Sequence, residues 1–126
     1  METMFSPQLL DHFQNPRNTG ELSAPDAVAE LSNPVCGDVI RLSLKLSGDR
    51  IAEIRFKAKG CVPSMACASA ITELAQGKTV SEARQLKRED LIADVGGVPP
   101  ASSHAAQLAL DALSSALNQI PASRKP

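Results

Sequence analysis

Residues 40–59 read IRLSLKLSGDRIAEIRFKAK, and the reading of this stretch decides the fold. Ile40, Leu42, Leu44 and Leu46 alternate with Arg41, Ser43 and Lys45. Beyond Ser47-Gly48-Asp49, Ile54, Phe56 and Ala58 alternate with Arg55, Lys57 and Lys59. A period of two sends successive side chains to opposite faces, so the pattern predicts an antiparallel hairpin with one apolar and one basic face. Arg41, Lys45, Arg55, Lys57 and Lys59 on the outward side read as a solvated sheet face that resists edge pairing. A docking surface for an acidic partner is the alternative.

On either side of the hairpin the period changes. Upstream, Ser6-Pro7 is a cap and first-turn signal. Leu9, Leu10 and Phe13 make an apolar stripe, and Asn15-Pro16 ends the helix. Residues 17–26, rich in Asn, Gly, Ser and Pro, read as a loop, and residues 27–31 as a short strand. Downstream, Cys67, Ile71 and Leu74 recur at helical spacing and Gly77 supplies a stop, which predicts a helix over 63–76 packed on the sheet. Thr79 and Glu82 form a capping box, residues 87–94 suit a further short helix, and Pro99-Pro100 precedes a long one lined by Ala106, Leu110, Leu113, Leu117 and Ile120. Residues 123–126 read as a frayed tail. The sum is an α+β domain spanning residues 1–126: a small antiparallel sheet of about three strands with helices on one face.

Composition excludes several functions. The chain has 126 residues, a formal net charge of -1, and no Trp or Tyr, so neither stacking platforms nor long-range attraction to phosphate favour nucleic acid as a partner. No uninterrupted apolar run reads as a membrane span, which implies a soluble protein. Three cysteines are an odd number, and METMFSPQLL has no secretory pattern, so the expected setting is the reducing cytoplasm, with thiols used as thiolates.

Three places carry chemistry. In Asn33-Pro34-Val35-Cys36-Gly37-Asp38, at the entry to the first long strand, an extended backbone would put Cys36 and Asp38 on one side. A thiol and a carboxylate two apart make half a metal site, or else a strand-entry Cys beside a turn Asp. Cys61 follows Gly60 at the start of the predicted 63–76 helix, where the positive end of the dipole and unpaired N–H groups favour an anion. His104, after Ser102-Ser103, opens the last helix, where the neutral imidazole that binds metal is favoured. A strand start and two helix N-termini at one end of a sheet-and-helix sandwich would bring S, S, O and N donors together, a set suited to zinc or to iron with sulfide.

Ser6-Pro7, Leu10-Asp11-His12-Phe13, Asn15-Pro16-Arg17-Asn18, the Asn33 to Asp38 stretch, Gly60-Cys61, Ala68-Ser69, Thr72-Glu73 and Gly77-Lys78 occur in this order. In these motifs the chain resembles the IscU/NifU N-terminal family of iron-sulfur cluster assembly scaffolds, from about Phe5 to Leu113. The resemblance implies a scaffold or carrier with no turnover of its own. It would bind iron and sulfide, or zinc as isolated, take sulfur from a cysteine desulfurase and pass a [2Fe-2S] cluster to apo acceptor proteins. It implies Cys36, Asp38, Cys61 and His104 as the ligands. The family places a third cysteine after the histidine; here that position is Ala105. The family's chaperone-binding Leu-Pro-Pro-Val-Lys stands here as Val98-Pro99-Pro100-Ala101-Ser102, without the lysine, which argues against chaperone-driven transfer. Ala105 supports the alternative of a divergent zinc-binding homologue that acts as an interaction or regulatory module. A thiol enzyme using Cys61 with His104 as base would need a substrate pocket that the sequence does not reveal.

Cys67 is the remaining thiol. In a regular helix it would lie about 9 Å from Cys61 along the axis and about 120° around it, which favours a core role over ligation and opposes a disulfide.

Overall fold

The computed structural model describes residues 5–34 and 37–120. Its elements are α1 (Pro7–Gln14), β1 (Ala27–Asn33), β2 (Asp38–Ser47), β3 (Arg50–Lys59), α2 (Val62–Ala75), α3 (Val80–Arg84), α4 (Arg88–Asp94), a single 3-10 turn (Pro100–Ser102) and α5 (Ser103–Leu117). The three strands form one antiparallel sheet in the order β1-β2-β3. This is the α+β arrangement expected, with α2 and α5 laid on the sheet.

The hairpin alternation translates directly into burial. Ile40, Leu42 and Leu44 are fully buried, as is Ile54, with Leu46 and Phe56 nearly so. Fully burying a large aliphatic side chain stabilises by roughly 1.5–3 kcal/mol, so this one face supplies much of the driving force for folding. A register shift at Lys45/Leu46 lets Ile51, rather than Ala52, face inward opposite Leu46.

The outward face is less free than its basic pattern suggested. Arg41 pairs with Glu21 at 3.3 Å and Glu30 at 3.6 Å, Lys57 with Glu21 at 3.5 Å, and Arg55 with Glu53 at 3.6 Å. Leu22 N–H also donates to the buried Ser43 Oγ, so the 17–26 loop covers part of this face. With its cations largely matched by acids of the same chain, the face suits solvent better than an acidic partner.

Two helices depart from expectation. In α1, Leu9 and His12 are the buried residues, while Leu10 and Phe13 are only partly so. The inward face therefore contains a histidine, which finds a hydroxyl partner across the interface: His12 Nδ1 lies 2.9 Å from Ser69 Oγ. Helix α2 is buried on most of its circumference, against the sheet, α1, α4 and α5, instead of along one stripe, and Leu74 is only partly buried. Its inventory of Ala66, Ala68, Ala70, Ala75 and the hydroxyl residues Ser64, Ser69 and Thr72 explains this: small side chains let neighbours approach from every side, and each hydroxyl has a partner.

The Asn15-Pro16-Arg17-Asn18 loop is pinned to the layer beneath it. Arg17 N–H donates to Ser69 Oγ, Asn18 Nδ2 donates to Thr72 Oγ1, and Asn18 C=O accepts from Phe56 N–H. The Thr79/Glu82 capping box is present in full, and the Thr79 bonds hold the Glu82 carboxyl below the usual range. Residues 123–126 lie outside the described residues, as does Cys36.

Candidate metal centre

Asp38 opens β2, pairs across the sheet with Asn33, and lies beside the end of β3, since Val39 faces Lys59. Just before it, Gly37 takes φ +77° and its N–H donates to Asn33 C=O at 2.7 Å. Two residues after β3, Cys61 is the N-cap of α2, and His104 lies in the first turn of α5. Ser102 is the α5 N-cap, but its side chain does not cap; the preceding 3-10 turn sets the entry instead.

These elements meet at one carboxylate. Asp38 is 2 % exposed. Its Oδ1 accepts Cys61 N–H at 3.0 Å, satisfying an orphan donor at the start of α2. Its Oδ2 accepts the Ser64 hydroxyl at 2.6 Å and the Cys61 thiol at 3.2 Å, and lies 3.8 Å from His104 Nε2. Cys61 Sγ is also 3.3 Å from Ser64 Oγ. Burying a carboxylate is costly without such partners, and here the strand start, the helix N-terminus and a buried serine all supply them.

Gly60 makes the approach possible. At φ +142° it holds a conformation that L side chains rarely adopt, and a Cβ there would fall on Asp38 Oδ1, with Asp38 Cα at 3.0 Å. The glycine therefore lets the β3–α2 connection pass directly over the carboxylate.

Of the four expected ligands, three converge: one donor atom each from Asp38, Cys61 and His104 lies within 4.8 Å of the others. Cys36 lies outside the described residues. His104 keeps an open side, with its side chain 39 % exposed, while Ala105 beside it is fully buried in the core. Cys67 is fully buried too, and desolvation, with a smaller contribution from nearby Cys61, pushes its thiol from 9.0 up to about 12. That is the behaviour of a small hydrophobe and not of a ligand. Ser64 was not evident from sequence, because a serine in an all-round buried helix has no periodic signature.

Residues 4–125 match the family model described as the NifU-like N terminal domain. The chain belongs to this family. Over 114 residues it is 41 % identical to iron-sulfur cluster assembly scaffold protein IscU 1 of Archaeoglobus fulgidus, which covers 90 % of this chain and 74 % of that one. It is 39 % identical over 88 residues to the zinc-dependent sulfurtransferase SufU of Bacillus subtilis, covering 70 % of this chain and 59 % of the relative. The crystal structure of the N-terminal part of a NifU-like protein from Brucella abortus superposes with a TM-score of 0.78 at 22 % identity, over 93 % of this chain and 94 % of the other, and shows the NifU-like fold.

Proposed function

We propose that this NifU-like domain is an iron-sulfur cluster assembly scaffold. Cys36, Asp38, Cys61 and His104 hold the nascent [2Fe-2S] cluster, a cysteine desulfurase supplies the sulfur, and apo proteins in the cytoplasm accept the finished cluster. The observation that carries the reading is the meeting at Asp38 Oδ2, with Cys61 Sγ at 3.2 Å and His104 Nε2 at 3.8 Å. Relatives named as iron-sulfur scaffolds match over nine-tenths of this chain, which supports it. No described helix is long and apolar enough to cross a membrane.

The donor chemistry fits such cargo. A carboxylate and a thiolate offset the charge of iron or zinc, and a neutral imidazole completes a mixed O, S, N set. On loading, the Cys61 thiol would release its proton to solvent and turn its sulfur from Asp38 to the metal. Cys61 N–H and the Ser64 hydroxyl keep hold of the carboxylate meanwhile, so Asp38 stays oriented while one of its bonds is exchanged. Oxygen and nitrogen donate less charge than thiolate, so a set poor in sulfur holds a cluster loosely, as a carrier that must release its cargo requires. The relative named a zinc-dependent sulfurtransferase makes sulfur transfer a second activity to assay.

Anaerobic reconstitution with iron and sulfide tests the proposal. Visible absorption with iron and sulfide in equal amounts is the expected result, from protein that carries about one zinc as purified. Zinc binding with no cluster under any reconstitution condition would instead establish the zinc-binding interaction module.

A further inference from the structure

A second group of metal-type donors lies away from Asp38, where α1, α2 and α4 meet. His12 Nε2 is 3.6 Å from Glu73 Oε1 and 3.6 Å from Asp94 Oδ2, and all three atoms lie within 4.8 Å of one another. The His12 side chain is 6 % exposed. Its Nδ1 is held at 2.9 Å from Ser69 Oγ, so the ring is fixed and its other nitrogen is aimed between two carboxylates. Nε2 has no hydrogen bond among the described residues, and Asp94 Oδ2, itself buried, has none either.

A buried carboxylate oxygen left without a hydrogen bond and facing an imidazole nitrogen calls for an occupant, because buried polar atoms in proteins are nearly always satisfied. Two charges beside His12 make the demand sharper. Asp94 is the last residue of α4, where the helix dipole disfavours an anion. Arg17 is committed elsewhere: it donates to Asp11 Oδ2 at 2.6 Å, an interaction that holds the Asp11 carboxyl below its usual range, and its Nε reaches only the other oxygen of Glu73, at 3.5 Å.

We propose that His12 Nε2, Glu73 Oε1 and Asp94 Oδ2 form a second divalent-cation site that takes a first-row transition ion. A point equidistant from three atoms so spaced lies roughly 2.1–2.4 Å from each, the range of metal bonds to imidazole and carboxylate, so the cation needs little rearrangement. Ser69 Oγ, which already accepts Arg17 N–H, keeps a second lone pair for His12 Nδ1–H. That tautomer leaves the Nε2 lone pair for the metal and gives the ligand the oriented support typical of metal-bound histidines. Glu73 and Asp94 are partly exposed, which leaves an entry path and room for water as further ligands. Bound there, the ion ties α1 and α4 to the last turn of α2, the helix whose N-cap is Cys61. With no thiolate, the site accepts manganese, iron(II) or cobalt on terms unlike those of the Asp38 centre.

Cobalt(II) titration of the full chain tests this. The expected result is one saturable equivalent showing ligand-field bands without thiolate charge transfer, separate from any equivalent that has it. Excess cobalt should raise Tm by roughly 5–10 °C at a hundredfold excess over Kd. In Glu73→Gln/Asp94→Asn, which keeps size and lies at partly exposed positions, that equivalent should weaken at least tenfold while the charge-transfer band is unchanged. Absence of a thiolate-free equivalent, or its survival in this variant, overturns the proposal. So does an NMR titration in which the His12 ring is imidazolium at neutral pH and does not respond to zinc, since a proton would then be the occupant. Loss of the charge-transfer band alone counts against the Asp38 centre and leaves this site standing.

Discussion

Cys61 and Cys67 sit six residues apart around the start of one helix, and their surroundings could hardly differ more. Cys61 is the N-cap, partly exposed, with its sulfur against a carboxylate and a hydroxyl. Cys67 is two turns into a helix that is buried on most sides, fully enclosed, with its thiol pushed up to about 12. A cysteine at a helix mouth has donors and solvent within reach; one buried farther along has only packing. Position along α2 therefore sorts the two thiols into chemistry and core.

The largest effect should come from exchanging their roles. Cys61→Ala, like Cys36→Ala, is expected to abolish reconstituted cluster and weaken zinc by more than about a hundredfold, because ligand loss exceeds the 10–100-fold typical of outer partners. Cys67→Ala should leave metal stoichiometry unchanged and cost only the small destabilisation of a shallow cavity. Chelator competition and urea unfolding measure the two. Loss of metal in Cys67→Ala would break the contrast and restore a ligand role to that thiol.

Gly60→Ala attacks the same helix mouth from the backbone. The added methyl would fall on Asp38 Oδ1 at a φ that L residues avoid, so Asp38 or the connection must move. The expected cost is roughly 2–4 kcal/mol of stability together with weakened zinc binding. Urea unfolding and zinc competition should move together. A wild-type zinc affinity in a folded Gly60→Ala chain would mean that Asp38 does not depend on this close approach.

The hairpin, α2 and the capping box were legible because each rests on neighbours within a few residues: alternation in IRLSLKL, the Cys67-Ile71 spacing with Gly77, and Thr79 with Glu82. Asp38, Cys61 and His104 were legible as candidates for the same local reason, since each opens a strand or helix. The partners were not. Ser64 reaches Asp38 across 26 positions, and His12 meets Ser69 across 57. A polar residue on a buried face gives no periodic signal until its partner is in place.

A smaller effect follows from the buried thiol's proton. Cys67 keeps its proton in the folded chain up to about pH 12, whereas the unfolded chain releases it near 9.0. Below pH 9 both states hold the proton and the group adds no pH dependence. Between about 9 and 12 the unfolded state binds fewer protons, so stability falls as pH rises. Urea midpoints measured across this window should decline less steeply in Cys67→Ala than in wild type. Equal slopes would mean that this thiol is not the one held protonated. At pH 8, native protein should also resist alkylation at Cys67 while Cys61 reacts.

The finest test of what a helix mouth does lies at α5, where His104 stands half open and Ala105 is fully buried. A thiol at residue 105 would enter at a helix start, where the dipole favours thiolate, beside a histidine already directed at Asp38 Oδ2. It would also add a heavy atom to a filled core position, at a cost of roughly 1–3 kcal/mol if the surroundings do not yield. Both consequences can be read in one variant. Ala105→Cys is expected to lengthen the lifetime of a reconstituted cluster several-fold, because thiolate donates more charge than the oxygen and nitrogen ligands it would supplement. Its metal-free Tm should fall by a few degrees. Cluster decay followed by visible absorption gives the first, and thermal unfolding of the apo chain the second. A longer lifetime with a lower apo Tm would show that the new sulfur turns from the core to the metal centre. An unchanged lifetime with a lower Tm would show that residue 105 faces packing alone, and that in this chain the work of the helix mouth is done by Cys61.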